Sequence, residues 1–428
     1  MDYTHCVGID FGTSTIKIVV RDLEFDEVSP VSYSDGRAVT IPSFVSVTEC
    51  GHIIISASSD SMKLRQWRFD NLKGKILFHR DFSKQIAADI PLICKIEGAD
   101  APNTKWAINM SYAQPHYELM LALKLSYLVR RVKSDFHLQN GTPLWSLPLP
   151  VTSVSSREAA AMQRAYAFGL KASSNDQTSK EKYTLLEYNK ILGDYKQFKS
   201  NTVLPEISNL QIMPEGICNI VAIASASFRR TDRFSLIDIG AATIEVVTFS
   251  LEGQQLDVYH SKTSPLGIES LKSQELIKTT SNGVTEITDE GSNKITAEVI
   301  CSLASPSNMD SSYYKSKNSV DLFLCGGGSL DSSLAAIPSQ IPESRLRQFC
   351  IPPITVHLDL AASAGYELIT PNILPRYLVA CGLSVPAENF SSYRLPSELS
   401  TMYREISQME TLKPYSHLDD NWDYTAIK

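Results

Sequence analysis

The chain has no surplus of positive charge: 40 lysines and arginines stand against 47 aspartates and glutamates, a formal net charge of -7. That balance gives no electrostatic footing for nucleic acid or an anionic membrane, so neither is an expected partner. No apolar run approaches the roughly 20 residues that a bilayer span requires, and no membrane span is expected. The opening MDYTHCVGID lacks a basic stretch followed by an apolar one, so secretion is not expected. The eight cysteines are scattered, with no C-x-x-C and no metal-ligand spacing. Cys6, Cys218, Cys325 and Cys381 lie in apolar runs and read as buried thiols of a reducing, cytoplasmic setting. The eight histidines form no H-E-x-x-H or paired motif, which argues against zinc.

What is present is ordinary globular composition, 43% apolar and 20% charged, in 428 residues. That length exceeds one simple core and favours two large domains. One pattern occurs twice. Residues 7–20 read VGIDFGTSTIKIVV and residues 236–249 read LIDIGAATIEVVTF. Aligned on Asp10 and Asp238, each is an apolar strand that ends in a carboxylate, turns tightly and returns as a β-branched strand. A turn of Gly, Thr and Ser presents backbone N–H groups to phosphate oxygens, and its Asp can hold hydrated magnesium. Two such hairpins face to face would clasp a nucleoside triphosphate.

Around them, residues 5–60 read as strands, and 61–95 are mixed and charged, ending in the apolar IPLICKI. Helical spacing runs from Gln114 to about Asn140, followed by a strand near 143–151. A second helix comes next at 156–171, with a Ser cap, an early Glu and a Gly near its end. Residues 173–208 are polar and Lys/Tyr-rich, and read as a surface insertion, with partner docking as the alternative. NLQIM reads as a strand leading into the small-residue helix PEGICNIVAIASA, and QLDVYHS as a strand after the second hairpin. Residues 278–320 read as loops or a small subdomain. DLFLCGGGSL reads as a strand entering a triple-glycine turn, and 371–385 as a small-residue helix. In the tail, Leu399, Met402, Tyr403, Ile406 and Met409 make one amphipathic stripe expected to dock on the body, with a free partner helix as the alternative.

In this order the signals resemble the five motifs of the actin/sugar-kinase/heat-shock-chaperone ATPase superfamily: phosphate 1, connect 1, phosphate 2, adenosine and connect 2. Within it, VGIDFGTSTIKI, RAVTIPSFVSVTECGHIII, WRFDNLKGKI, MPEGICNIVAIA and SPLGIESL resemble stretches of the nucleotide-binding domain of DnaK-type chaperones. Ile268 departs from that pattern, where the family has a second glycine, and the family's adenine-sandwiching E-x-x-K-R helix has no counterpart between Leu271 and Val320. The stretch after residue 386 is too short for the family's peptide-binding domain and lid, so neither is expected there.

The resemblance implies an α/β, two-lobed actin-like fold, each lobe a mixed sheet flanked by helices, with the nucleotide cleft between lobes. Lobe I would span 1–172 with an inserted subdomain at about 30–115, and an insertion would occupy 173–208. Lobe II would span 209–370, and a connect 2 helix at 371–386 would precede the tail at 387–428. It implies ATP or ADP with Mg²⁺ as ligands, and Asp10 and Asp238 as the metal's protein contacts. Gly12, Thr13, Ser14, Thr15 and Lys17 would grip phosphates from one side and Gly240, Ala241, Ala242 and Thr243 from the other. Glu215 and Asp238 would orient the attacking water or the metal. The cation for the γ-phosphate would be Lys17 by actin spacing, or Lys73 or Lys75 by chaperone spacing, with Lys73 preferred because more of its surroundings match. Gly267 and Glu269 match the family's turn after the second hairpin, and Gly326, Gly327, Gly328 and Ser329 would line adenosine. Pro148 or Pro150 would be the interlobe coupling proline. The implied activity is slow ATP hydrolysis driving a conformational switch read by a protein partner, through 173–208 or 387–428. An actin-like filament is the alternative, oligomers being compatible with either, and a small-molecule kinase is the third reading.

Overall fold

The computed structural model describes residues 3–31, 40–56, 66–77, 82–99, 106–138, 141–149, 157–200, 207–225, 232–252, 255–279, 285–309, 319–357, 369, 373–387 and 392–394. The tail stripe and Pro150 lie outside them. The architecture is mixed α/β.

The first hairpin is real. β1 (His5–Phe11) and β2 (Thr15–Asp22) pair antiparallel, with Asp10 opposite Lys17 and Phe11 opposite Ile16. β2 also pairs with β3 (Val28–Pro30) and β4 (Ile41–Pro42). On its other side β1 runs parallel to β8 (Leu144–Leu149), which runs parallel to β10 (Leu210–Pro214). β8 is buried along its whole length, as strands covered on both faces must be.

The second half repeats this plan. β11 (Asp232–Ile239) and β12 (Ile244–Glu252) form the hairpin, and β12 pairs antiparallel with β13 (Gln255–Ser264). β11 runs parallel to β16 (Val320–Cys325), and β16 to β17 (Ile354–His357). The orders β10-β8-β1-β2-β3 and β17-β16-β11-β12-β13 therefore match strand for strand in position and sense. The second sheet gains β18 (Ser392–Arg394) at the β13 edge, where the Arg394 guanidinium donates to both Asp257 carboxylate oxygens at 2.7 and 2.5 Å. A small hairpin, β14 (Ile277–Thr279) with β15 (Thr285–Ile287), stands apart.

The segment at 173–208 is not a surface insertion. β9 (Lys182–Thr184) joins β5 (Val45–Thr48), β6 (His52–Ile54) and β7 (Gln66–Phe69) in a sheet ordered β7-β5-β6-β9. The segment thus supplies the fourth strand of that sheet. Helix α5 (Leu185–Ser200) buries Tyr188, Ile191, Leu192 and Tyr195, a stripe at helical spacing. Its tyrosines read as polar in the sequence, yet their hydroxyls are satisfied inside: Tyr195 donates to Glu118 at 2.6 Å, and the Tyr188 hydroxyl lies 3.2 Å from His116 Nδ1. Their partners are on α3 (Trp106–Asp135), a 30-residue helix that continues through Pro115 and begins before the expected start.

Residues 61–95 include α1 (Leu72–Leu77) and most of α2 (Ser83–Glu97), so IPLICKI is helical. α4 (Arg157–Ala172) runs through Gly169, where the α3 backbone packs too closely for a side chain, so this glycine serves a helix crossing rather than a cap. The stretch read as loops or a small subdomain holds α8 (Asp289–Met309), preceded by α7 (Ile268–Ser273) and followed by the short α9 (Ser332–Ala336) and α10 (Glu343–Gln348). Asp289 and Glu290 in its first turn complement the helix dipole, a start signal outweighed in the sequence by Ser and Thr content.

Helices α6 (Glu215–Ser225) and α11 (Leu374–Leu383) pack together, and α11 also contacts strands of both large sheets. A Cβ on Gly382 would overlap the Cys218 carbonyl, and one on Gly8 the Ala380 carbonyl. The small residues of α11 are what let it lie against α6 and β1 at backbone distance. One buried cluster accordingly contains Val19 and Val28 of the first half with Leu236, Val247 and Phe323 of the second. Among the described residues no helix is long and apolar enough to cross a membrane. All eight cysteines are free thiols, and Cys6, Cys218, Cys325 and Cys381 are buried as expected.

Candidate functional site

A cleft with a cavity volume of about 230 Å³ opens where the two hairpin turns meet. It is lined by Asp10, Gly12, Thr13, Ser14, Thr15 and Lys17 from the first hairpin and by Asp238, Gly240, Ala241, Thr243 and Glu245 from the second. Lys73, Glu215, Glu269, Gly326 and Gly327 also line it. Segments so far apart in the chain need not converge, and the repeated strand order is what makes these do so: each aspartate lies near the end of the central strand of its sheet.

Both turns have their carbonyl oxygens occupied from behind. Ser43 donates its amide to Ser14 O at 3.1 Å and its hydroxyl to Thr13 O at 2.6 Å. On the second turn, the amides of Gly267, Ile268 and Glu269 donate to the carbonyls of Ala242, Gly240 and Ala241 at 3.1, 3.2 and 2.7 Å. Ser270 Oγ adds a 2.8 Å bond to Ala242 O. Lone pairs that would repel an anion are thereby tied back, which suits a turn whose N–H side receives phosphate.

The cleft is rich in opposed charge. Lys17 Nζ donates to Asp10 at 2.7 Å, and Lys73 Nζ to Glu215 at 2.6 Å. Asn219, one helical turn after Glu215 on α6, donates to Asp238 Oδ2 at 2.8 Å. Burial, then Glu215 and Asp10, push the Asp238 carboxyl up to about 6, against the pull of Asn219 and Lys17. Burial, with Glu215 and Asp238 beside it, lifts Glu245 well above the usual carboxylate range. For Lys73 burial works against the charge, but Glu215, Asp10 and Glu245 outweigh it and hold the ammonium form.

Of the expected residues, several do not line the cleft. Ala242 and Gly267 form the joint between the second turn and α7. Gly328 and Ser329 are buried in the turn after β16, packed on Ile239 and bonded to Gly326 O respectively. Gly326 has φ +79°, and a Cβ there would overlap Asp238 Oδ1, so glycine is required at that point by the aspartate itself. Lys75 points away from the cleft, onto Asp89 at 2.6 Å and over the Tyr117 ring. Pro148 lies in β8, its carbonyl accepting from Tyr166 at 3.1 Å. Sequence reasoning missed Glu245, Asn219, Thr263 and Arg376. Two carried signals: Glu245 holds the place of Lys17 in the repeat, and Asn219 is four residues after Glu215.

Among the described residues no three metal-ligating side chains converge into a site of their own. Asp10 is 3% exposed, and its Oδ1 is buried with no hydrogen-bond partner. An orphaned carboxylate oxygen of this kind fits an aquated cation, whose waters would satisfy it. The chain matches no protein-family model and no curated protein.

Proposed function

We propose that this chain is an ATPase of two-lobed, actin-like architecture, resembling the nucleotide-binding domain of DnaK-type chaperones, which binds ATP with magnesium between its two hairpins and hydrolyses it slowly. The observation that carries the reading is the pair of matched hairpins whose aspartates, Asp10 and Asp238, line one cleft together with Lys73 and Glu215. Acidic side chains outnumber the basic ones that line the cleft, which would repel a bare triphosphate, so the ligand enters with a divalent cation. Bound magnesium would neutralise phosphate charge, with Asp10 and Asp238 holding its waters.

In this reading Lys73 exchanges Glu215 for the terminal phosphate, which frees Glu215 to orient water with Asp238. Thr243 and the two turns fix the phosphate chain. Hydrolysis of this kind is positioning rather than covalent chemistry. The packed pair α6 and α11, with α11 touching both sheets, supports a switch in which ligand binding alters how the sheets pack, read by a protein partner in a cytoplasmic setting. The test is magnesium-dependent binding of ATP by titration calorimetry together with phosphate release. No heat with ATP at millimolar concentration would sink the proposal.

A filament-forming ATPase is the second reading, favoured by Lys17, which lies in the cleft on Asp10. Sedimentation with ATP at rising protein concentration decides it, since a filament shows a critical concentration.

A further inference from the structure

Arg376 has no role in the reading so far. It lines the cleft from the first turn of α11, and its Nε is buried without a hydrogen-bond partner. Lys17 and Lys73 each sit on a carboxylate, whereas Arg376 makes no ion pair with a described residue. Nothing local explains the charge. A cation in the first turn of a helix stands at the unfavourable end of the dipole. Burying a donor without an acceptor costs stability.

The surroundings hold the guanidinium in place. The amide of Gly326 donates to the Pro375 carbonyl at 2.9 Å, which locks the start of α11 to the turn after β16. A Cβ on Gly327 would come no closer than 3.9 Å to Arg376 Nε, so the side chain lies along that turn in ordinary contact. A planar fork whose Nε lacks an acceptor, in a cleft lined by two anion-receiving turns, matches a phosphate group.

We propose that Arg376 is a ligand-binding residue that takes a phosphate of the α,β-diphosphate unit of a nucleoside di- or triphosphate, the unit that pyrophosphate reproduces. The assignment rests on the nucleotide reading above. It makes the cleft a three-cation site: Lys17 and Lys73 are released from carboxylates by the incoming ligand, and Arg376 has no carboxylate to leave among the described residues. It also puts a ligand contact on the helix that packs against both sheets.

The experiment measures binding of magnesium pyrophosphate and of magnesium ADP to the full chain and to R376A, R376Q and R376K. Expected is a loss on the order of tenfold to a hundredfold for both ligands in R376A and R376Q, with R376K intermediate because it keeps the charge and loses the fork. Melting temperature without ligand should not fall, since no partner among the described residues is lost. Equal pyrophosphate affinity in the native chain and the variants overturns the assignment. So does a loss confined to ADP, which would put the guanidinium on the nucleoside. If the native chain binds pyrophosphate but not ADP, the nucleotide reading fails while the pyrophosphate comparison still decides Arg376. If it binds neither, both fall.

Discussion

Lys17 and Glu245 occupy the same place in the two hairpins, each directly across the ladder from its hairpin's aspartate. The repeat is therefore charge-inverted at one position: Asp10 faces an ammonium, and Asp238 faces a carboxyl group. The consequence is a division of labour. Asp10 is held beside a cation, while Glu245, lifted by burial first and then by Glu215 and Asp238, is pushed toward its neutral form. Glu245→Gln should then leave turnover within about twofold of the native chain at pH 7, because the amide copies the neutral acid's shape. A loss of tenfold or more in phosphate release would show that the ionised form is needed.

Removing either aspartate should end hydrolysis. Asp10→Ala and Asp238→Ala are each expected to lower phosphate release by at least a hundredfold with an unchanged circular dichroism spectrum. Normal turnover in both would overturn the site assignment.

The two lysines of α1 separate function from stability. Lys73→Ala should abolish hydrolysis in the fraction that folds, and cost less stability than Lys75→Ala because Glu215 is the more exposed partner. Lys75→Ala strands Asp89 in the interior and should cost roughly 3–5 kcal/mol of stability, read as a lowered urea midpoint, without a specific effect on ATP affinity in the fraction that folds.

Acid should act on stability and activity in opposite directions. The Asp238 carboxyl takes up its proton near pH 6 when folded and near 4 when unfolded. A group raised on folding binds protons preferentially in the native state, so ligand-free stability should increase as pH falls through 6, most steeply near 5, and level off below 4. Turnover should decline over the same interval, because protonated Asp238 cannot hold water or metal as an anion. Thermal melts of the native chain and Asp238→Asn across this range check the stability arm, the variant losing that part of the pH dependence, and phosphate release from the native chain checks the other.

Much of the site was legible because its parts are local: a carboxylate, a small-residue turn and a β-branched return, written twice. Lys73 and Glu215 could be placed through their flanking motifs. What was hidden depended on contacts between distant segments. Tyr188 and Tyr195 count as polar until His116 and Glu118 supply partners for their hydroxyls. Gly169 looks like a helix stop until α3 comes to lie against it. Arg376 has no local signature, because its environment is made by a turn 50 residues earlier in the chain.

Packing without side chains makes its own demand. Gly382→Val would drive side-chain carbons into the Cys218 carbonyl and should cost at least about 1–3 kcal/mol, seen as a lower melting temperature whether or not ATP is present.

The strand at Lys182–Thr184 has a consequence for biosynthesis. It covers the edge of the strand at His52–Ile54, which is translated far earlier. During synthesis the β9 pairing of that edge waits until residue 184 has cleared the ribosome, so the four-stranded sheet cannot be completed as its first three strands emerge. Nascent chains stalled before that point, and any fragment ending there, display an open β-edge that invites pairing with a second copy.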